Sequence, residues 1–353
     1  MGSLPTHGKK ALPLSNAESP ARPLDPGSAE GRAVLARLIS GALGEEAAIG
    51  AVEALSGGAS SATYRIGASV GAASRHFIFQ RAASAGFGVS RRVQAEVMRR
   101  AGRLGVPVPP VIAIPSPEDG LGDAVITGFV EGEALAPRWL RLDQYAVARE
   151  RLVGQCAEAL ARLHAAPMST WADLPLGAGS GAELLDSSFA TYRRLGVDVP
   201  AFDLAFAWLK PRMPADPPTV LVHGDFRSGN FLVSEAGLAA VLDWELPHLS
   251  SPAEDLGWLC AQAWRFGQWQ QPVGGFATRE ALLAAYRAAG GQVSADELHL
   301  WEVYGNLKWG MSCLLLADDH VSGRVPSVER AAIGRRVSEV AADLVYILAF
   351  RDL

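Results

Sequence analysis

The stretch "LVHGDFRSGNFLV", residues 221 to 233, sets a His, an acid, an Arg and an Asn within eight residues and flanks them on both sides with strand-like apolar residues. Asp225 lies two residues after His223 and five before Asn230, in a loop between two strands, and Asp243 ends the next strand, "LAAVLDWE". A β-hairpin pairing "NFLV" with "AVLD" brings Asn230 and Asp243 together across thirteen residues of sequence. An amide oxygen and a carboxylate there suit a hard, octahedral ion such as magnesium, which keeps waters and uses few protein ligands. Asp225 is then free to act on a substrate hydroxyl. One acid as base or orienter, and another on a metal, is the division of labour that phosphoryl transfer needs. Alone, Asp225 or Asn230 reads as a turn residue. Two loop acids and an amide around one hairpin are more polar groups than turn-making requires.

Outward from this loop the chain changes character. Residues 1 to 30 are rich in Pro, Ser, Gly and Ala and read as a flexible tail. "GRAVLARLISGAL" is helical, "AVEALSGGASSATYRIG" is strand, Gly-Ser turn and strand, and "RHFIFQ" is a third strand. In "VSRRVQAEVMRRAGRL", Val89, Val93, Val97, Ala101 and Leu104 mark one apolar face of a helix that Gly105 and Pro107 end. "PPVIAIP" and "DAVITGFVEG" supply two more strands. Then comes the long amphipathic "YAVARERLVGQCAEALARLHAAP", further helix over 181 to 210, three brief strands around the opening stretch, and helix everywhere after Pro252. The expectation is an α+β chain: a sheet-rich amino-terminal lobe over 31–131 and a mostly helical carboxy-terminal lobe over 132–353, with a ligand cleft between them.

Composition narrows the function. At 353 residues the chain exceeds what one core usually holds, and 49% hydrophobic with 20% charged residues is ordinary for an enzyme. A net charge of −5 gives no basic footprint for nucleic acid. No apolar run approaches the length of a membrane span, and the early apolar pieces such as "ALPL" are too brief for a signal-peptide core, so a cytoplasmic location is expected. Three widely spaced cysteines, Cys156, Cys260 and Cys313, fit a reducing compartment. No G-x-x-x-x-G-K-[ST] run occurs, which argues against a P-loop enzyme.

"HGDFRSGN" followed by "LDWE" resembles the aminoglycoside phosphotransferase and choline kinase superfamily, relatives of the protein kinases. The longer run from Leu221 through "AAVLDWELPHLSSPAEDLGWL" is especially similar to the branch related to the kinase-like domain fused to some acyl-CoA dehydrogenases. The resemblance implies a bilobal protein-kinase-like fold that uses ATP and magnesium to phosphorylate a small-molecule alcohol. It implies Asp225 as catalytic base, Asn230 and Asp243 as magnesium ligands, His223 as support for the loop, and Asp255 as the acid that brace-holds it. Glu245 would tune the metal site or sit on the turn, and Arg227 would approach phosphate or be a solvated loop Arg.

In the amino-terminal lobe the resemblance places the phosphate-covering loop at "SGGASSATYR", with Gly57, Gly58, Ser60 and Ser61. Gly and Ser there let backbone N–H groups come near phosphate oxygens. Glu96 falls where the family has the helix Glu that pairs with a strand cation. The strand departs from the pattern: Gln80 stands in the register of the usual Lys, and Arg81 is expected to take the cationic role through a one-residue shift or bulge. The hinge, Thr127, Phe129 and Val130, is expected to meet adenine through its backbone.

Two other readings compete. His223, Asp225, Asp243 and His248 would be the ligands of a metal hydrolase, although no H-E-x-x-H helix supports it. The missing strand Lys favours a pseudokinase that holds nucleotide without transfer. For the acceptor, an amino sugar and a hydroxyacyl or other small metabolite alcohol both stand. Residues 252 to 320 hold eight Asp or Glu and four Lys or Arg, too mild an excess for a polycation site, and many aromatics, among them Trp258, Trp264, Trp301, Tyr304 and Trp309. No feature of the sequence addresses oligomeric state.

Overall fold

The computed structural model describes residues 23–55, 61–82, 88–216 and 220–350. Helix α1 (Ala29–Leu43) starts where the Ser28 hydroxyl accepts the Gly31 N–H and ends at Gly44, in the left-handed region. Five strands follow: β1 (Ala47–Leu55), β2 (Ser61–Val70), β3 (Ala73–Ala82), β4 (Val111–Ala113) and β5 (Ala124–Gly128). They form one antiparallel sheet in the order β1-β2-β3-β5-β4. Helix α2 (Arg91–Arg103), capped by Ser90, connects β3 to β4.

The sheet has two faces with different partners. Ile66, Phe77, Phe79 and Ile126 bury one face against Leu35 and Ile39 of α1. The apolar stripe of α2, Val93, Val97 and Ala101, instead joins the larger core of the helical part. The sheet thus sits between its own helix and the rest of the chain.

Beyond the sheet the chain is mainly helical: α3 (Ala136–Trp139), α4 (Ala146–His164), α5 (Gly181–Leu195) and α6 (Pro200–Leu209), then α7 (Pro252–Cys260), α8 (Arg279–Ala288), α9 (Ala295–Val321), α10 (Val328–Gly334) and α11 (Val337–Ala349). Between α6 and α7 lie two small antiparallel pairs. One joins β6 (Val220–Val222) to β9 (His248–Ser250), the other β7 (Phe231–Ser234) to β8 (Gly237–Val241). Gly257 lets α7 cross α9 closely: a Cβ there would lie 2.4 Å from the Trp301 backbone carbon. Among the described residues, no helix is long and apolar enough to cross a membrane.

The α+β reading holds, with an antiparallel sheet first and helices after. Three details differ from the sequence reading. Strand β9 follows directly on the "DWE" turn, where only three residues are needed to pair with β6 and leave little periodicity to see. After Pro252 the chain is not helical throughout, because residues 265–278 form turns that carry Gly267, Gly274 and Gly275 at positive φ. The end of the expected tail is packed: Leu24 donates its N–H to Gly120 O and accepts from Arg81 Nη1. Residues 1–22 lie outside the described residues.

Candidate active site

Strand β6 delivers the chain to His223 and Gly224. Gly224 has φ +79, and a Cβ there would meet Leu246 O at 2.2 Å, so only glycine lets this loop cross the turn after Asp243. The His223 and Gly224 N–H groups donate to Asp255 Oδ2 and Oδ1 at 2.7 and 3.0 Å. Asp255 is fully buried at the start of α7. Burial pushes its carboxyl up, but the His164 hydrogen bond and charge, with the His223 amide, hold it below the usual range. His164 bonds Asp255 through Nε2 at 3.2 Å and Tyr286 Oη through Nδ1 at 2.8 Å.

His223 joins the two halves of the site. Its Nδ1 accepts the Asp225 N–H at 3.1 Å, which leaves the proton on Nε2, and Nε2 donates to Leu242 O at 3.0 Å. Burial lowers its pKa below the ordinary value, in keeping with this neutral form. The ring therefore ties the loop bearing Asp225 to the strand end bearing Asp243.

The Asp225 carboxylate, 9% exposed, receives three donors. Trp258 Nε1 donates to Oδ1 at 2.7 Å, Asn230 Nδ2 to Oδ2 at 2.6 Å, and Arg227 Nε to both at 2.9 and 3.1 Å. Asn230 Nδ2 also reaches the Asp225 carbonyl at 2.9 Å, so the amide oxygen Oδ1 is the atom left to face a ligand. As expected, β7 and β8 pair Phe231 with Val241, and Leu242 N donates to Asn230 O at 2.8 Å, which sets Asp243 one residue beyond that contact.

Asp243 has φ +63, a left-handed backbone that costs a non-glycine residue on the order of 1 kcal/mol and marks a constrained position. Burial first, then the Glu245 and Asp225 charges, push its carboxyl up to about 7. The donor set fits magnesium: an amide oxygen and a carboxylate, in a buried group of acids short of positive charge. The cations nearby are Arg227, which offsets part of that charge on Asp243, and Arg91 at the start of α2, whose Nη2 lies 3.9 Å from Glu245 Oε2. Val89 N donates to Glu245 O at 2.9 Å, which fastens the approach to α2 onto the same turn.

The amino-terminal residues fall differently from expectation. Gly57, Gly58 and Ser60 lie outside the described residues, and Ser61 opens β2 opposite Ala82. Arg81 does not reach the cleft. The pairing is regular through Gln80 and Arg81 on both sides, with no bulge, so strand alternation puts Arg81 on the face of Phe77 and Phe79 that packs on α1. Its Nη1 donates to Leu24 O at 2.7 Å. Gln80 faces the other side, opposite Val125 and Thr63. Glu96 pairs with Arg99 one helical turn on, at 2.8 Å, and both are about a third exposed, so it is not the partner of a strand cation. At the hinge, Gly128 N donates to Pro110 O and Phe129 N to His76 O, and the Phe129 ring lies under the Arg65 guanidinium. Thr127 is buried in β5. Among the described residues no backbone hydrogen bond takes the Val130 N–H.

Sequence reasoning did not single out Trp258, Lys308 or Glu254 individually. Lys308 on α9 donates to Gly224 O at 2.9 Å and Glu254 Oε1 at 3.1 Å, and its ammonium stands 4.8 Å from the Trp258 ring centroid. His248 Nε2 meets Glu254 Oε2 at 3.1 Å and its Nδ1 meets Leu246 O at 2.9 Å. With both imidazoles engaged in this way, His223 and His248 do not converge as metal ligands. Among the described residues no group of three or more His, Cys, Asp or Glu is placed to hold a metal.

A family model described as "Phosphotransferase enzyme family" matches residues 51–294. Among curated proteins, acyl-CoA dehydrogenase family member 10 of Mus musculus is 41% identical over 64 residues, 18% of this chain and 6% of that protein. Family member 11 of Gallus gallus is 34% identical over 110 residues, 29% of this chain and 14% of that protein. The matched stretches are thus a small part of both relatives. Among solved structures, a Ralstonia eutropha JMP134 protein provisionally assigned as an aminoglycoside phosphotransferase superposes with a TM-score of 0.71 at 20% identity, covering 88% of this chain and 96% of its own. The GDP and kanamycin complex of APH(2″)-IIIa gives 0.59 at 19% identity, covering 88% and 97%. At such identities these two likenesses show the fold.

Proposed function

The chain belongs to the phosphotransferase enzyme family, and from that membership we propose that it transfers the γ-phosphoryl group of ATP to a hydroxyl of a small molecule. The observation that carries this reading is the convergence of Asp225, Asn230 and Asp243, fastened by one imidazole, His223, across the two loops. The nucleotide would lie against the sheet of residues 31–131, and the acceptor over the helices of 132–353.

Asp225 accepts or orients the hydroxyl proton. The acceptor oxygen forms its bond to the γ-phosphorus as the bond to the β,γ-bridging oxygen breaks and ADP leaves. Arg227, beside Asp225, is placed to meet charge on the transferring group. Asn230 Oδ1 and the Asp243 carboxylate would hold magnesium, which when bound offsets the phosphate charge. His223 and Asp255 keep the base in place, so catalysis rests on positioning and electrostatics, with no covalent enzyme intermediate.

The surroundings of Asp225 favour a neutral or anionic acceptor with an apolar body, such as a hydroxyacyl compound, over an amino sugar. Arg227 stacks on Trp264 at 4.4 Å and Lys308 on Trp258, both within reach of the base. The acids on the helical side are already matched, Glu254 by Lys308 and His248, and Glu302 by Arg265 and Arg279. A polycation such as kanamycin, held by the neighbour APH(2″)-IIIa, would meet cations beside the base here. A cytoplasmic location fits the supply of ATP and the three free, buried cysteines.

Nucleotide consumption, measured with ATP and with GTP in the presence of magnesium and of either kanamycin or short hydroxyacyl-CoA compounds, tests this. The reading expects ATP to be used with a hydroxyacyl acceptor. Turnover with kanamycin alone would overturn the acceptor class. Nucleotide binding with no turnover for any acceptor would favour the pseudokinase, which Gln80 on the inner face of β3 supports.

A further inference from the structure

Three donors hold the Asp225 carboxylate, and they are not equivalent. Trp258 and Asn230 are nearly buried, each 5% exposed, and each grips one oxygen. Arg227 spans both oxygens, but its side chain is 23% exposed. A carboxylate offers about four acceptor sites, two per oxygen. These contacts fill them, so an acceptor hydroxyl can bond Asp225 only when one donor leaves. Arg227 is the donor free to do so, and a phosphate is a stronger draw for a guanidinium than a carboxylate it already shares with two other donors.

When Arg227 turns away, Asn230 and Trp258 alone define the carboxylate plane. Asn230 belongs to the same loop as Asp225, whereas Trp258 comes from α7 and fixes Oδ1 from outside it. The indole is itself immobilised. Its ring meets the edge of Trp264 at 5.1 Å between centroids and carries the Lys308 ammonium on its face. One turn earlier on the same helix, Asp255 holds the backbone of His223 and Gly224. Helix α7 thus grips the loop twice, at its backbone and at the reactive side chain.

We propose that Trp258 is a positioning residue for phosphoryl transfer, its indole N–H fixing Oδ1 of Asp225 so that the carboxylate keeps its aim at the acceptor hydroxyl once Arg227 is displaced. This rests on Asp225 being the base, and the test separates the two ideas. In Trp258→Phe, which keeps a ring and removes the donor, kcat for phosphoryl transfer from ATP should fall about 10- to 100-fold while KM for ATP stays within about twofold. Trp258→His, able to offer a ring N–H, should recover part of the loss. Trp309→Phe, a neighbouring change in the same tryptophan cluster without the Asp225 contact, should retain kcat. If Trp258→Phe does not fold, benzothienylalanine placed at 258 keeps the bicyclic ring, removes only the N–H and carries the same expectation. Unchanged kcat, or an equal loss in Trp309→Phe, would overturn the proposal. A crystal structure of the variant adds a readout independent of turnover: the Asp225 carboxylate should rotate from its wild-type plane, and an unmoved carboxylate would overturn the proposal. Absence of transfer by the wild-type protein, with the carboxylate rotated in the variant, would instead count against the assigned reaction.

Discussion

Arg227 lies with Nε 2.9 Å from Oδ1 and 3.1 Å from Oδ2 of Asp225, and its guanidinium is 4.4 Å from the Trp264 ring centroid. The ring backs a planar cation beside the proposed base, from where it can pass to the transferring phosphoryl group when the acceptor hydroxyl takes its place on Asp225. Arg227→Ala should therefore fold normally and lose about 100-fold in kcat/KM. Arg227→Lys should restore little, because an ammonium cannot reproduce the planar stack on Trp264 or a paired contact to phosphate. Steady-state kinetics of both variants check this, and a Lys variant at wild-type rate would contradict it.

Metal binding should release a proton near neutrality. The Asp243 carboxyl, at about 7, is largely protonated at pH 6 and ionised at pH 8, while a metal ligand must be ionised. Calorimetric titration of magnesium-ATP in buffers of different ionisation enthalpy should show release approaching about one proton at pH 6 and little at pH 8. Asp243→Asn should abolish the difference. Release that does not vary with pH would contradict the placement of Asp243 at the ion.

The Glu254 network should govern acid stability. Burial pushes the Glu254 carboxyl up, but the His248 and Lys308 charges overcome this and hold it far below its ordinary value of 4.5. A folded-state pKa that is depressed contributes stability in full above the unfolded value, and that contribution is lost as pH falls below it toward the folded value. Melting temperature should thus drop between about pH 5 and pH 3 more steeply in the wild type than in Glu254→Gln. Parallel curves would contradict this.

Arg81 and Gln80 should separate cleanly. Arg81→Ala removes a bond to Leu24 O on the α1 side of the sheet and should lower melting temperature while leaving KM for ATP within about twofold. Gln80→Ala, on the opposite face, should raise KM for ATP. The reverse pattern would contradict the register of β3.

These cases show where the sequence was readable. The hairpin of Asn230 and Asp243 followed from a short alternating pattern with close ends, and α2 from its apolar stripe, because local periodicity records both. Arg81 was misplaced because a bulge was assumed where the strand runs regularly; alternation alone would have set it beside Phe79. Glu96 falls elsewhere because pairing between a strand and the helix that follows it depends on tertiary packing, whereas its partner Arg99 stands three residues on. Trp258 and Lys308 reach the loop of Gly224 and Asp225 from helices 33 and 84 residues away, a closeness that only tertiary packing creates.

The central claim is that Asp225 serves transfer from ATP to an alcohol. Its most direct test is product formation from γ-labelled ATP by the wild type and Asp225→Asn, with magnesium-ADP affinity measured on both. The Asn side chain keeps the size of the carboxylate and removes its charge, so label transfer should fall by at least about 100-fold with nucleotide affinity retained. Equal transfer by the two proteins would contradict the account.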